Sequence, residues 1–119
     1  MATPMTFDIR AAGEYLAARE QQRRQQREKE RLRVLEATIP VLRQIFQELP
    51  VKVFLVGSLV RPGAFYPHSD IDVAVEGYTG DRLDLWLELD RRLSRPVDLI
   101  IIEKCSFPEM IYKHGLRVR

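Results

Sequence analysis

With 119 residues, the chain has room for one compact domain and at most one appendage. Its 45% hydrophobic and 30% charged residues fit a folded, water-soluble protein and exclude a disordered or fibrous one. The net charge is +2, with 9 basic against 7 acidic residues over 1–50 and 10 against 10 over 51–119, too even for a nucleic-acid footprint across the domain.

The longest apolar runs, Val53 to Val56 and Leu99 to Ile102, are four residues each. A membrane span needs about 20. The opening MATPMTFDIR has no basic stretch leading into an apolar one, so no secretory signal is expected. Cys105 is the only cysteine, which leaves no internal disulfide and no thiolate zinc site. A cytoplasmic protein is expected.

Residues 6–49 contain Gly13 and Pro40 but no turn cluster, and they read as helix. From Leu32 onward, Leu32, Leu35, Ile39, Leu42, Phe46 and Leu49 recur at steps of three and four, which places them on one helical face. Pro40 lacks a backbone donor, so either a kink or a new helix capped by Thr38 is expected there. Pro50 ends the segment. Upstream, Arg19 to Arg31 (REQQRRQQREKER) has no apolar side chain. The pairs Glu20/Arg24, Arg24/Glu28 and Glu28/Arg31 each support a helix by roughly 0.2–0.5 kcal/mol. A helix polar all round projects into solvent or bridges to something else. The chain therefore divides into a polar helical arm, 1–31, and a folded domain, 32–119. The arm is either a partner-binding element with Tyr15 and Leu16 as contacts or a solvated extension. Its glutamates dilute the arginines against nucleic-acid binding.

The remainder alternates strand and helix. Val51 to Val56 is a buried strand ending at Gly57, and residues 59–69 form a loop rich in Gly and Pro with one helical turn at its start. Ile71 to Val75 is a second strand. Asp81 to Ser94 is a helix with the stripe Leu85, Leu89 and Leu93, broadened by Leu83, Trp86 and Leu87. Pro96 to Ile102 is a third strand, and Phe107 to Lys113 a short helix stopped by Gly115. The expected fold is α/β (α+β), with a small mixed sheet of three to four strands packed by helices.

Three features carry chemistry. Gly57-Ser58 lies where the chain leaves the first strand, Asp70-Ile71-Asp72 opens the second, and Asp98 sits within Val97-Asp98-Leu99-Ile100 on the third. Alternation along a strand turns Asp70 and Asp72 to the same side, opposite Ile71, and turns Asp98 away from Val97 and Leu99. Neighbouring carboxylates cannot all stay ionised without a counter-charge, and hard oxygen ligands without His or Cys favour Mg²⁺ or Mn²⁺. A trio converging within one cation's reach is therefore expected, and Asp98 placed far from the other pair, or any of the three turned to bulk solvent, would overturn it. The glycine lets backbone approach an anion, Ser58 adds a hydroxyl, and Arg61 adds charge for a triphosphate. GSLVRPG is not a Walker loop.

The stretch VFLVGSLVRPGAFYPHSDIDVAVEG, followed by PVDLIII, resembles the minimal nucleotidyltransferases of the polymerase-β-like superfamily. Their signature is an apolar strand, Gly-Ser, a short loop, Asp-x-Asp and a third Asp on a later strand. The resemblance covers residues 32–115. It implies the polymerase-β-like fold, with Asp70, Asp72 and Asp98 as metal-binding and catalytic carboxylates. Gly57 and Ser58 become triphosphate contacts, and Arg61 the arginine common after Gly-Ser. Eleven residues separate Ser58 from Asp70, one more than is usual, with Pro62 as the extra residue beside Arg61. The implied reaction is transfer of a nucleoside monophosphate from a triphosphate, usually ATP, to a hydroxyl with release of pyrophosphate. Two Mg²⁺ ions would serve it, bridged by Asp70 and Asp72, with Asp98 at the attacking hydroxyl. Many such proteins are antitoxins of HEPN-type toxins, and some adenylylate a toxin tyrosine. The leading expectation is an adenylylating antitoxin, its arm free for the toxin or for a homo-oligomer. The alternatives are an antitoxin that only masks its toxin and a transferase acting on a small molecule.

The remaining residues have ordinary expected roles. His68 and His114 lie on the surface, Trp86 in the core, and Cys105 fills apolar space. Tyr66 is a candidate for stacking on a base.

Overall fold

A computed structural model describes residues 8–119, so the first part of the expected arm, residues 1–7, lies outside it. Helix α1 spans Ile9–Ile45. Asp8 caps it by accepting from Ala11 N at 3.1 Å. The helix continues through Pro40. Thr38 caps no new helix: its hydroxyl is buried inside α1 and donates to Val34 O at 2.6 Å. Proline removes one donor, and the packing of this segment on the domain outweighs that loss.

The face that α1 buries is Arg31, Val34, Thr38 and Leu42, continued by Phe46, with Leu35, Ile39, Val41 and Ile45 partly covered beside it. Leu32 and Leu49, both expected in the apolar stripe, are 44% and 38% exposed. An apolar period does not report polar residues, whereas the buried face includes Thr38 and Arg31. Both bury because their polar atoms find backbone carbonyls.

The sheet has strand order β3-β2-β1-β4. Strand β1 (Lys52–Val56) pairs antiparallel with β2 (Ile71–Glu76), and β2 pairs parallel with β3 (Val97–Ile101) through helix α2 (Arg82–Arg92). Asp81 caps α2 by accepting from Asp84 N at 2.9 Å. Helix α3 (Pro108–His114) leads into β4 (Leu116–Arg117), a two-residue strand against β1 that no sequence pattern announced. A Cβ at Gly115 would meet Ile111 O at 2.5 Å, so this glycine ends α3 by close contact, with φ −74° rather than a left-handed turn.

Strand alternation divides the sheet into two faces. Val53, Leu55, Ile71, Val73, Val75, Val97 and Leu99 bury against α1 and α2 in the main core. On the opposite face, Phe54, Ala74 and Ile102 pack with Ile111 of α3. Only the far half of that second face is covered. The other half carries Asp72 and Asp98. Trp86 is 44% exposed rather than buried in the core. Its Nε1 donates to Val97 O at 2.7 Å, a carbonyl on the edge strand, because an indole N–H cannot be buried without an acceptor. The radius of gyration, 20.3 Å, exceeds the roughly 13–14 Å of a compact chain this long, because α1 projects beyond the domain.

Candidate active site

The register aligns the site across three strands. Val56, the last residue of β1, pairs with Asp72, and Asp72 pairs with Asp98. Neighbouring strands lie about 4.8 Å apart, so Gly57, Asp72 and Asp98 form a row running toward the free edge of β3. Gly57 turns the chain out of the sheet at φ +74°, where a side chain is strained. A Cβ there would lie 2.1 Å from Asp72 Oδ2. The backbone of Gly57 thus rests directly on the Asp72 carboxylate. After it, Gly57–Val60 makes one 3-10 turn with Leu59 buried.

Asp72 is half-buried, and its carboxyl is pushed up to about 6 by burial first, then by the negative charges of Asp98 and Asp70. The three carboxylates therefore share one electrostatic field. They are not equally enclosed: Asp70 and Asp98 are exposed, so the cost of burial falls on Asp72 alone. Among the described residues, no group of three or more His, Cys, Asp or Glu side chains is drawn together tightly enough to hold a metal ion as it stands. The tight convergence expected from the sequence is therefore not what the structure shows, and two of the three side chains face solvent. The donor set still fits a hard divalent cation: oxygen ligands only, with one partly desolvated carboxylate lacking a cationic partner.

The loop from the 3-10 turn to Asp70 is tied down by Glu28 and Arg31, expected only to pair with each other along the helix, and by Arg95, for which no role is expected. Buried Arg31 donates from Nη1 to Leu59 O at 3.0 Å, while its other nitrogens hold Glu28. Glu28 in turn accepts from Gly63 N at 3.2 Å. Arg95 donates from Nη1 to Tyr66 O and Pro67 O, both at 2.9 Å, and to Ser69 O at 3.3 Å, and its guanidinium lies over Phe65. The end of the polar helix is thus a brace for the loop. The anchoring arginines look like any surface arginine.

Two clefts flank the row. One, about 580 Å³, is lined by Gly57, Val60, Arg61, Met110 and His114. It places Arg61 beside the turn, with His114, exposed as expected, on its wall. The other, about 460 Å³, is lined by Arg82, Leu83, Trp86, Asp98 and Leu99. Tyr66 lies elsewhere, against α1, stacked on His68 and covered by the Arg27 guanidinium at 4.7 Å. Cys105 is partly buried beside the second core.

A mixed four-stranded sheet, backed by α1 and α2 on one face and by α3 on half of the other, and ending its first strand in Gly-Ser opposite Asp-x-Asp, has the polymerase-β-like nucleotidyltransferase architecture. The chain belongs to the nucleotidyltransferase domain family, which it matches over residues 35–116. Its fold is similar to a crystal structure of a toxin–antitoxin with AMP-PNP, at TM-score 0.54 and 24% identity, over 66% of this chain and 69% of that one. It is similar also to the crystal structure of the toxin–antitoxin MntA–HepT, at TM-score 0.51 and 20% identity, over 71% of each chain. At such identities the likeness is one of fold. No curated protein matches the sequence significantly. Among the described residues, no helix is long and apolar enough to cross a membrane.

Proposed function

We propose that this chain is a metal-dependent nucleotidyltransferase antitoxin that moves AMP from ATP to a tyrosine hydroxyl of a HEPN-type toxin. Membership of the nucleotidyltransferase family supports the reaction type. The two toxin–antitoxin structures of similar fold, one with AMP-PNP, support the partner and the nucleotide. The observation that carries the reading is the row Gly57, Asp72, Asp98, with the Asp72 carboxylate lying against Gly57, where there is no Cβ.

In this proposal Asp70, Asp72 and Asp98 hold two Mg²⁺ ions, with Mn²⁺ as a substitute. When bound, the metal neutralises phosphate charge and acidifies the acceptor hydroxyl. The chain's own residues do the rest. Gly57 and Ser58 receive the triphosphate with backbone amides and one hydroxyl, since no Cβ stands in the way. Arg61, on the wall of the adjoining cleft, adds positive charge for the leaving pyrophosphate. Asp98, the outermost of the row, accepts the proton of the attacking hydroxyl at a carboxylate oxygen. The α-phosphorus–oxygen bond to pyrophosphate breaks as the bond to the acceptor oxygen forms. Arg31 and Arg95 keep the loop in place while this happens. Of the expected arm, 1–31, the end with Glu28 and Arg31 serves the loop, and the part ahead of it acts as an arm for the toxin or for a second copy, with Tyr15 and Leu16 exposed at 63% and 61%. The setting is the cytoplasm.

The test is incubation of the purified chain with Mg²⁺, ATP labelled on its α-phosphate, and the protein encoded by the adjacent reading frame. Label on that protein together with released pyrophosphate is the expected result, lost in an Asp70→Asn, Asp72→Asn variant. Neutralisation that survives in that variant would establish masking instead. Label on a small molecule but never on the protein would establish the third reading.

A further inference from the structure

We infer that the outward face of α2, formed by Leu83, Trp86 and Leu87 beside Asp98, is the surface on which the acceptor protein docks. The inference rests on the transferase reading above and assigns the direction from which the hydroxyl arrives. Helix α2 buries Leu85 and Leu89, and that face is enough to hold it on the sheet. It nevertheless carries a second apolar face, with Leu83 and Leu87 each 56% exposed and Trp86 44% exposed. Residues three and four apart adjoin on a helix, so the three make one patch.

The patch is fixed to the site. Trp86 Nε1 donates to Val97 O at 2.7 Å, and Arg82 Nη2 reaches Leu99 O at 3.4 Å. Two side chains of α2 thus grip the residues on either side of Asp98. The cleft between them, about 460 Å³, has Asp98 in its wall.

The chemistry decides which way the acceptor approaches. In a displacement at phosphorus, the entering and leaving oxygens lie on opposite sides. Gly57, at the β1 end of the row, receives the triphosphate. The hydroxyl must then come from the β3 end, over the edge where this cleft opens. The apolar patch runs past this cleft, whose walls are Arg82, Leu83, Trp86, Asp98 and Leu99 but not Leu87, so it offers apolar surface beyond the reach of a sugar or other small polyol. An aromatic hydroxyl on a folded partner suits it, with its ring against Trp86, Leu83 and Leu87 covered by neighbouring apolar residues, and the oxygen at Asp98. Aromatic anchors in partly closed apolar pockets are where interface affinity concentrates.

The test uses the full chain with Leu83→Glu and Leu87→Glu together, two exposed positions that the domain core does not use. AMP transfer to the protein of the adjacent reading frame and binding of AMP-PNP with Mg²⁺ are measured side by side. The expected result is nucleotide affinity within twofold of the unmodified chain and at least a tenfold rise in KM for the acceptor, with kcat at saturating acceptor changed less than threefold. Transfer within twofold of normal in the variant overturns the docking surface and leaves the transferase reading intact. A chain that binds AMP-PNP but neither binds nor modifies the neighbouring protein overturns both. Sedimentation of the chain alone gives a further refutation: a dimer that the two substitutions dissolve assigns the patch to a second copy.

Discussion

Replacing Asp72 with Asn should make the protein more stable while removing its activity. The Asp72 carboxyl ordinarily titrates near 3.8, and in the folded chain it is pushed up to about 6 by burial, then by Asp98 and Asp70. A raised carboxyl pKa means the folded protein resists the charged form. The penalty is absent below the unfolded value, develops as pH rises through the window between the two, and is complete above about 6. The full shift would correspond to a ceiling of about 3 kcal/mol. Part of the side chain still reaches water, so about 1–2 kcal/mol is the expected gain for Asn at neutral pH. For a chain of this length that corresponds to a rise in Tm of roughly 4–8 °C. Paired thermal melts of the two proteins in chelator should show the gap at about pH 8, see it narrow below 6, and find it nearly closed at about pH 4. Mg²⁺ should raise the Tm of the unmodified protein and leave the Asn variant unmoved. A gap that is absent, or equal at both ends of the pH range, would refute the account of Asp72 as an uncompensated carboxylate.

Gly57→Ala places a methyl 2.1 Å from Asp72 Oδ2 at a left-handed position, so it should cost about 1–3 kcal/mol in urea unfolding. Nucleotide binding should fall further than stability, because the carboxylate must move. Arg31→Ala leaves the buried Leu59 carbonyl without its donor and should cost about 1–3 kcal/mol. Hydrogen exchange should then quicken across residues 57–63 before it does in β2, and uniform exchange would count against the brace.

Much of the site was legible because strands have a two-residue period. The spacing of Asp70 and Asp72, and of Asp98 between Val97 and Leu99, was enough to turn all three away from the helical core. What the spacing could not say was how far each is enclosed. Burial depends on which half of a sheet face a distant helix covers, and α3 covers Phe54 and Ala74 but stops short of Asp72 and Asp98. Hence one carboxylate is half-buried and two are exposed.

By themselves, the residues determined the alternation of strand and helix, the long first helix, and the acidic pattern at the strand borders, because these follow from local periodicity and turn chemistry. Tertiary structure alone decided that Thr38 and Arg31 face the core, that Trp86 stands at the sheet edge, and that Arg31 and Arg95 hold the loop before Asp70. A polar group is held wherever a partner meets it in space, and the Leu59 and Tyr66 carbonyls that Arg31 and Arg95 reach lie 28 and 29 positions away along the chain.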